Sequence, residues 1–245
     1  MLFFNKKSKI TLDCFTYDPM IAKTAPIAPA IKFYPKWMKD LHSVVAEPKF
    51  NPNTQETHSI PSGTVRGCPG ITDYFKTGFI APLWVDASVI INKDGRYSYH
   101  SADQPFSIES HFPGQWAGYN GYTHMKIVLP WHIEETTGVK FLLQRPMWTD
   151  NTNPLFINKL TSAGGVIDFK SQHSLHLHTF LEIPHDRQEF ILPFGLPLLH
   201  MIPLTDKDIK VNIHVLSEEE WKKKTIQSTG AKTYLKPSKT RDLNL

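Results

Sequence analysis

A mainly β, antiparallel fold of jelly-roll or distorted-barrel type is predicted by three features of the chain. About nine short apolar runs follow one another in the C-terminal two-thirds, bounded by turn-forming residues. The 19 prolines are spread along the 245 residues rather than gathered in a tract, which suits short strands joined by turns. Lys93-Asp94-Gly95 separates two strand-like runs, and an Asp-Gly pair marks a hairpin because its second position accepts positive φ.

Taken in order, residues 1–78 read as an irregular, proline-rich N-terminal arm. A short strand is expected at Ile10 to Thr16, after which Pro26, Pro29, Pro35, Pro48, Pro52 and Pro61 interrupt longer elements. Pro35 to Leu41 reads as one or two helical turns with Trp37 and Leu41 on one face. Pro69 to Lys76 reads similarly and closes at Gly78. Residues 79–216 form the β core, with strands expected at Ile80 to Asn92, Arg96 to His100, Phe106 to His111, His124 to Leu129, Val139 to Leu143, Val166 to Asp168, Leu175 to Ile183, Gln188 to Leu192, Leu198 to Leu204 and Ile209 to Leu216. In the final segment, 217–245, Ser217-Glu218-Glu219-Glu220 has the form of a capping box that starts a short C-terminal helix, followed by a polar basic tail.

Composition narrows the function classes. A hydrophobic share of 40% against 20% charged residues is globular rather than disordered. The net charge of +4 is modest and concentrated at the ends, in Lys6, Lys7, Lys9, Lys222, Lys223, Lys224, Lys232, Lys236, Lys239 and Arg241. Such a tail reads as a solvated terminus, and nucleic acid is not indicated beyond it. Two cysteines, Cys14 and Cys68, have no paired spacing, so neither a disulfide framework nor a thiolate zinc site is expected and a reducing compartment fits. Met1-Leu2-Phe3-Phe4 is broken at once by Asn5-Lys6-Lys7, and no apolar run approaches the ~20 residues that span a bilayer, so no signal peptide or membrane anchor is expected.

The densest set of possible ligands is His173-Ser174-Leu175-His176-Leu177-His178-Thr179-Phe180-Leu181-Glu182. On a regular strand His176, His178 and Glu182 project to one face, and two imidazoles with a carboxylate can hold a divalent transition metal. This spacing resembles the first motif of cupins. The plainer alternative is a half-exposed strand face or a subunit contact. His132 and Glu134 also face one way but have no assigned third ligand. Trp84, Trp116, Trp131 and Trp148 read either as a stacking surface or as core.

A second resemblance rests on Gly164-Gly165-Val166-Ile167-Asp168 and on Glu189 to Leu204, which look like the Gly-Val-Ile-Asp motif, glycine turn and apolar strand of trimeric dUTP pyrophosphatases. It implies a dUTPase-like β fold and a role for Asp168 in positioning the attacking water, with magnesium on the phosphates. The chain departs from that pattern at Ser171 and Gln172-His173, and an Arg-Ser-Ser type phosphate motif is missing. A triphosphate needs several donors to offset its charge. For Asp168 the alternative is a strand-end carboxylate capping a turn.

Across most of the chain, Pro35-Lys36-Trp37, Cys68-Pro69-Gly70-Ile71-Thr72-Asp73, Ile80-Ala81-Pro82-Leu83-Trp84, Lys126 to Trp131, Gly165 to Asp168 and Pro193 to Leu204 together resemble an uncharacterised family encoded by tailed bacteriophages, especially those of cyanobacteria. The resemblance implies no activity, cofactor or site, so no cofactor is expected beyond the divalent metal already considered. The expectation that follows is a phage-encoded, non-catalytic binding or assembly protein, a homo-oligomer such as a trimer or a partner of other phage proteins, in the host cytoplasm or the virion. The nucleotide pyrophosphatase using Asp168 and the cupin-like metal protein using His176, His178 and Glu182 are its alternatives.

Overall fold

The computed structural model describes residues 10–102, 105–111, 113–148 and 160–229. The strands and helices are β1 (Ile10–Thr16), α1 (Pro19–Thr24), β2 (Ala28–Pro29), α2 (Lys36–Asp40), β3 (Val44–Asn51), β4 (Glu56–Gly63), α3 (Pro69–Lys76), β5 (Phe79–Pro82), β6 (Ala87–Ile91), β7 (Tyr97–Ser101), β8 (Ser107–Glu109), β9 (Tyr122–Glu134), β10 (Lys140–Gln144), β11 (Leu160–Ala163), β12 (Gly165–Asp168), β13 (Ser174–Glu182), β14 (Gln188–Leu192), β15 (Pro197–Pro203), β16 (Ile209–Val215) and α4 (Glu218–Thr229). The fold is mainly β, as the apolar runs predict.

One sheet has the order β11-β13-β9-β1-β16, with β8 paired to the start of β9. A second runs β12-β10-β15-β5-β2, and a third β14-β6-β7. All strand pairs are antiparallel except β1 with β16, which run parallel. Leu12 and Cys14 of β1, Met125, Ile127, Leu129, Trp131 and Ile133 of β9, Leu175 and Leu177 of β13, Phe141 of β10, Met201 of β15 and Val89 of β6 belong to one apolar cluster. Burying this shared surface is what holds the three sheets together, at about 25 cal/mol for each Å² of apolar surface removed from water. Alternation along β9 shows the mechanism: Thr123, Met125, Ile127 and Leu129 are buried while His124, Lys126 and Val128 on the opposite face are only partly covered.

Two parts of the expected arm behave differently from its reading as irregular chain. Strand β1 sits in the interior of the first sheet between β9 and β16, and Ile21, Ala25 and Ile27 join the same core. Strands β3 and β4 form a separate hairpin that pairs with no other strand among the described residues. The expected strand from Ile80 to Asn92 is two strands, because the chain turns at Leu83 to Asp86 and delivers β5 and β6 to different sheets. In the helical turn at 36–40 the buried side chain is Met38, packed with Ile71 and Phe75 of α3, whereas Trp37 is exposed.

Several local predictions hold. Gly95 has φ 79° in the turn between β6 and β7. Ser217 and Glu220 bond reciprocally at the start of α4: the Ser217 N–H donates to Glu220 Oε2 at 2.9 Å and the Glu220 N–H donates to Ser217 Oγ at 3.3 Å. Gly78, with φ 79°, ends the α3 segment and its carbonyl accepts from the Ala30 N–H. Among the described residues no helix is long and apolar enough to cross a membrane. The apolar start at Met1 to Phe4, Lys6, Lys7, Lys9 and the basic tail from Lys232 to Arg241 lie outside the described residues.

Candidate metal centre

The outer face of the first sheet, turned away from the apolar core, carries the polar chemistry. Antiparallel register sets Phe180 of β13 opposite His124 of β9, His178 opposite Lys126 and His176 opposite Val128, while Glu109 of β8 lies opposite Lys126 from the other side. His124 and His178 are therefore diagonal neighbours, within mutual reach for long side chains. Two residues beyond β8 the chain folds back and lays His111 against both of them, and the turn at 113–116 adds Trp116.

The three imidazoles form a compact set. One ligand atom from each of His111, His124 and His178 can be chosen so that all lie within 4.8 Å of one another. His124 Nε2 is 3.1 Å from His178 Nδ1. Two nitrogens on a tetrahedral zinc at ~2.05 Å would be separated by about 3.3 Å, so this spacing needs almost no adjustment to take an ion. The rings of His111 and His178 stack at 5.3 Å between centroids, and His124 stacks on Trp116 at 5.2 Å.

Electrostatics favour ligation. Burial pushes His124 down to about 4, with the nearby His178 and His111 reinforcing the shift. His178 is also lowered, by burial first and then by His111 and Lys126. Both are neutral at neutral pH, the form in which imidazole binds metal. The His111 backbone N–H donates to His124 Nδ1 at 3.4 Å, which places the proton of His124 on Nε2, directed at His178. Ligation through Nε2 moves that proton to Nδ1, giving up this long bond and the contact between His124 Nε2 and His178 Nδ1, which the ion would replace.

His111, His124 and Trp116 line a cleft of 750 Å³ whose wall also includes Tyr119, Asn120 and Arg96. Tyr119 stacks on Phe180 at 4.0 Å. The buried indole N–H of Trp116 finds no acceptor among the described residues, leaving an unused donor beside the histidines.

The predicted set His176, His178 and Glu182 is not brought together. All three project from the outer face of β13 as the period of two requires, but four residues of strand place Glu182 roughly 13 Å from His178, and its side chain is exposed. His176 lies beside His178 with ring centroids 6.2 Å apart, and its buried Nδ1 has no hydrogen-bond partner among the described residues. Burial, then Lys126 and His178, lowers His176 to about 4. The ligands that complete a set with His178 are His111 and His124, 67 and 54 positions away, which strand pairing alone brings in.

Asp168 closes a turn. Its Oδ1 accepts from the Lys170 N–H at 2.9 Å, and its carbonyl accepts from the N–H groups of Ser171 and Gln172. It belongs to the second sheet, where Lys140 of β10 faces it, while Gln144 at the other end of β10 faces His200. His200 is fully buried and its Nε2 meets the Thr77 carbonyl at 2.7 Å. Of the tryptophans, Trp84 and Trp131 are core and Trp148 is exposed. A second polar set, His132, Glu134 and His173, gathers near the far end of β9, so the His-x-Glu pair does have a third neighbour.

Comparison with protein-family models, with curated proteins and with solved structures found no match to this chain.

Proposed function

We propose that the protein binds a divalent transition-metal ion on His111, His124 and His178 and uses it to hold a small ligand in the adjoining cleft. The observation that carries this reading is the convergence of three imidazole ligand atoms within 4.8 Å of one another, two of them on His111 and His124, which line that cleft. Three nitrogen ligands leave a tetrahedral ion one position for an exogenous group. Trp116 and Tyr119, which line the cleft, offer that group an aromatic surface. The bound ion would supply Lewis acidity, while the chain orients the imidazoles and covers them with aromatic rings. The cupin-like expectation is thus kept as a metal protein, with His178 retained and the other two ligands replaced.

Cobalt(II) titration followed by visible absorption tests this reading. A tetrahedral spectrum that loses one cobalt equivalent in His111→Ala supports it; an absent spectrum, or one unchanged in amplitude by that substitution, removes it.

Assembly, the role implied by the resemblance to bacteriophage proteins, is supported by a separate observation. Both faces of the β3–β4 hairpin are almost wholly exposed, and a lone hairpin is marginal in water. One face carries Val44, Ala46, Pro48, Phe50, Thr57, Ser59, Pro61 and Gly63, without a charge, and the other carries Glu47, Lys49, Glu56 and His58 together with Val45, Asn51, Ile60 and Ser62. Such an amphipathic arm fits a second copy of this chain, and a jelly-roll-like core of this kind would then exchange arms in a homo-oligomer. Light scattering on wild type and on a hairpin deletion decides the point: an oligomer that becomes monomeric supports it, and a monomeric wild type refutes it. The pyrophosphatase alternative has less support, since the Asp168 carboxylate is engaged in its own turn.

A further inference from the structure

We infer that His132, Glu134 and His173 form a second cation site, separate from the cleft, and that Lys224 of the C-terminal helix occupies it as a tethered cation. The donors gather at the β1 side of the first sheet. His132 and Glu134 are two residues apart on one face of β9, eight residues or roughly 26 Å of strand from His124. His173 precedes β13, and its ring stacks on that of His132 at 4.8 Å with an interplanar angle of 18°. One ligand atom from each of the three lies within 4.8 Å of the others.

Bonds to Glu134 and to the backbone hold the two histidine rings in place. His132 is 3% exposed and its Nε2 lies 3.2 Å from Glu134 Oε1. His173 Nδ1 meets the Ile133 carbonyl at 3.0 Å, while the Ile133 N–H donates to the His173 carbonyl at 2.8 Å. Donation from Nδ1 to a backbone carbonyl fixes the ring and leaves the lone pair on Nε2, which is how metal-binding histidines are commonly held.

The carboxylate already has a cation. Lys224 Nζ is 2.8 Å from the same Glu134 Oε1 and sits 3.9 Å over the Phe15 ring. Phe15 stacks in turn on His214, which bonds Asp13 at 2.8 Å. Trp221, one turn earlier on α4, packs against Tyr17 at 5.4 Å. A divalent ion coordinated by His132, Glu134 and His173 takes the Glu134 oxygen from Lys224, so ion entry and docking of α4 compete for one carboxylate.

The test is zinc titration by calorimetry on the full-length chain carrying His178→Ala, which removes the cleft cluster from every sample. One zinc equivalent is expected. Adding Lys224→Ala should tighten binding about tenfold, the worth of one charge-assisted hydrogen bond, and adding His173→Ala should weaken it by at least about tenfold. His173→Asn, whose amide nitrogen is attached to Cγ as Nδ1 is and can keep the bond to Ile133, guards against a folding defect and should weaken zinc equally. Hydrogen exchange in residues 218–225 should accelerate when zinc is added to the protein with Lys224 intact. Absence of zinc binding, affinity unchanged by His173→Asn, or affinity unchanged or weakened by Lys224→Ala overturns the inference, and none of these outcomes bears on His111 and His124.

Discussion

Replacing Glu135 by glutamine should cost the protein several kcal/mol, although the two side chains have the same shape. Glu135 follows β9 directly, is 1% exposed, and holds the turn into β10. Its Oε1 accepts from the Thr137 N–H at 2.7 Å and from the Thr137 hydroxyl, and its Oε2 accepts from the N–H groups of Gly138 at 2.7 Å and Val139 at 2.9 Å. Glutamine can keep an acceptor toward Thr137 but turns an NH₂ group toward two N–H donors. Two charge-assisted bonds are lost, each worth about 1.5–3 kcal/mol, so the expected loss is at least about 3 kcal/mol.

For a chain of this size that corresponds to a fall in Tm of roughly 6–12 °C. The carboxyl is held below its ordinary value: burial, the largest single influence, raises it, but the combined bonds from Thr137, Val139 and Gly138 outweigh burial. A depressed folded-state pKa means that this stabilisation is fully present above the unfolded value near 4.5 and is lost as pH falls through the folded value. Urea denaturation at pH 7 and at acid pH checks both points. A Glu135→Gln protein within about 0.5 kcal/mol of wild type at pH 7 would refute the reasoning, as would an equal deficit at a pH where the carboxyl is protonated.

Three other outcomes follow from the structure. His124 and His176 are both held near 4 by burial, so the unfolded chain binds protons there first and stability should decline as pH falls from about 6.5 toward 4; His124→Phe should flatten part of that decline in an acid titration followed by circular dichroism. Gly78→Ala should be strongly destabilising, because φ is 79° and a Cβ would overlap the Met201 carbonyl oxygen; a Tm within a few degrees of wild type would contradict this. Phe141→Ala, at a fully buried site packed on Phe169 at 5.2 Å, should cost about 3–5 kcal/mol in denaturant unfolding.

Elements defined by neighbours in sequence were legible, and those defined by distant partners were not. The Ser217–Glu220 capping box and the Asp94-Gly95 turn depend on residues a few positions apart, so their residue types suffice to place them. Strand β1 was visible as a strand, but its place inside the sheet depends on β16, about 200 positions away. The β3–β4 hairpin was hidden because Pro48 and Pro61 interrupt it and it lacks a buried face, the usual source of an alternating signal. The candidate site shows the same division. His176 and His178 stood out because alternation puts them on one face, whereas His111 and His124 reach His178 only through the pairing of β8, β9 and β13. His132 and Glu134 lacked a third ligand for the same reason, until the bulge at the start of β13 and the Ile133 backbone fixed His173.

The most direct test of the account is native mass spectrometry of the full-length protein after zinc addition and desalting, with wild type beside His124→Ala and His178→Ala. Loss of one of three ligands should weaken a site by at least about 100-fold, since even an outer partner of a metal ligand is worth 10–100-fold. The account predicts that each variant retains one zinc fewer than wild type while the apoprotein masses differ only by the substitution. Equal zinc retention in all three proteins would show that His111, His124 and His178 are not a metal site.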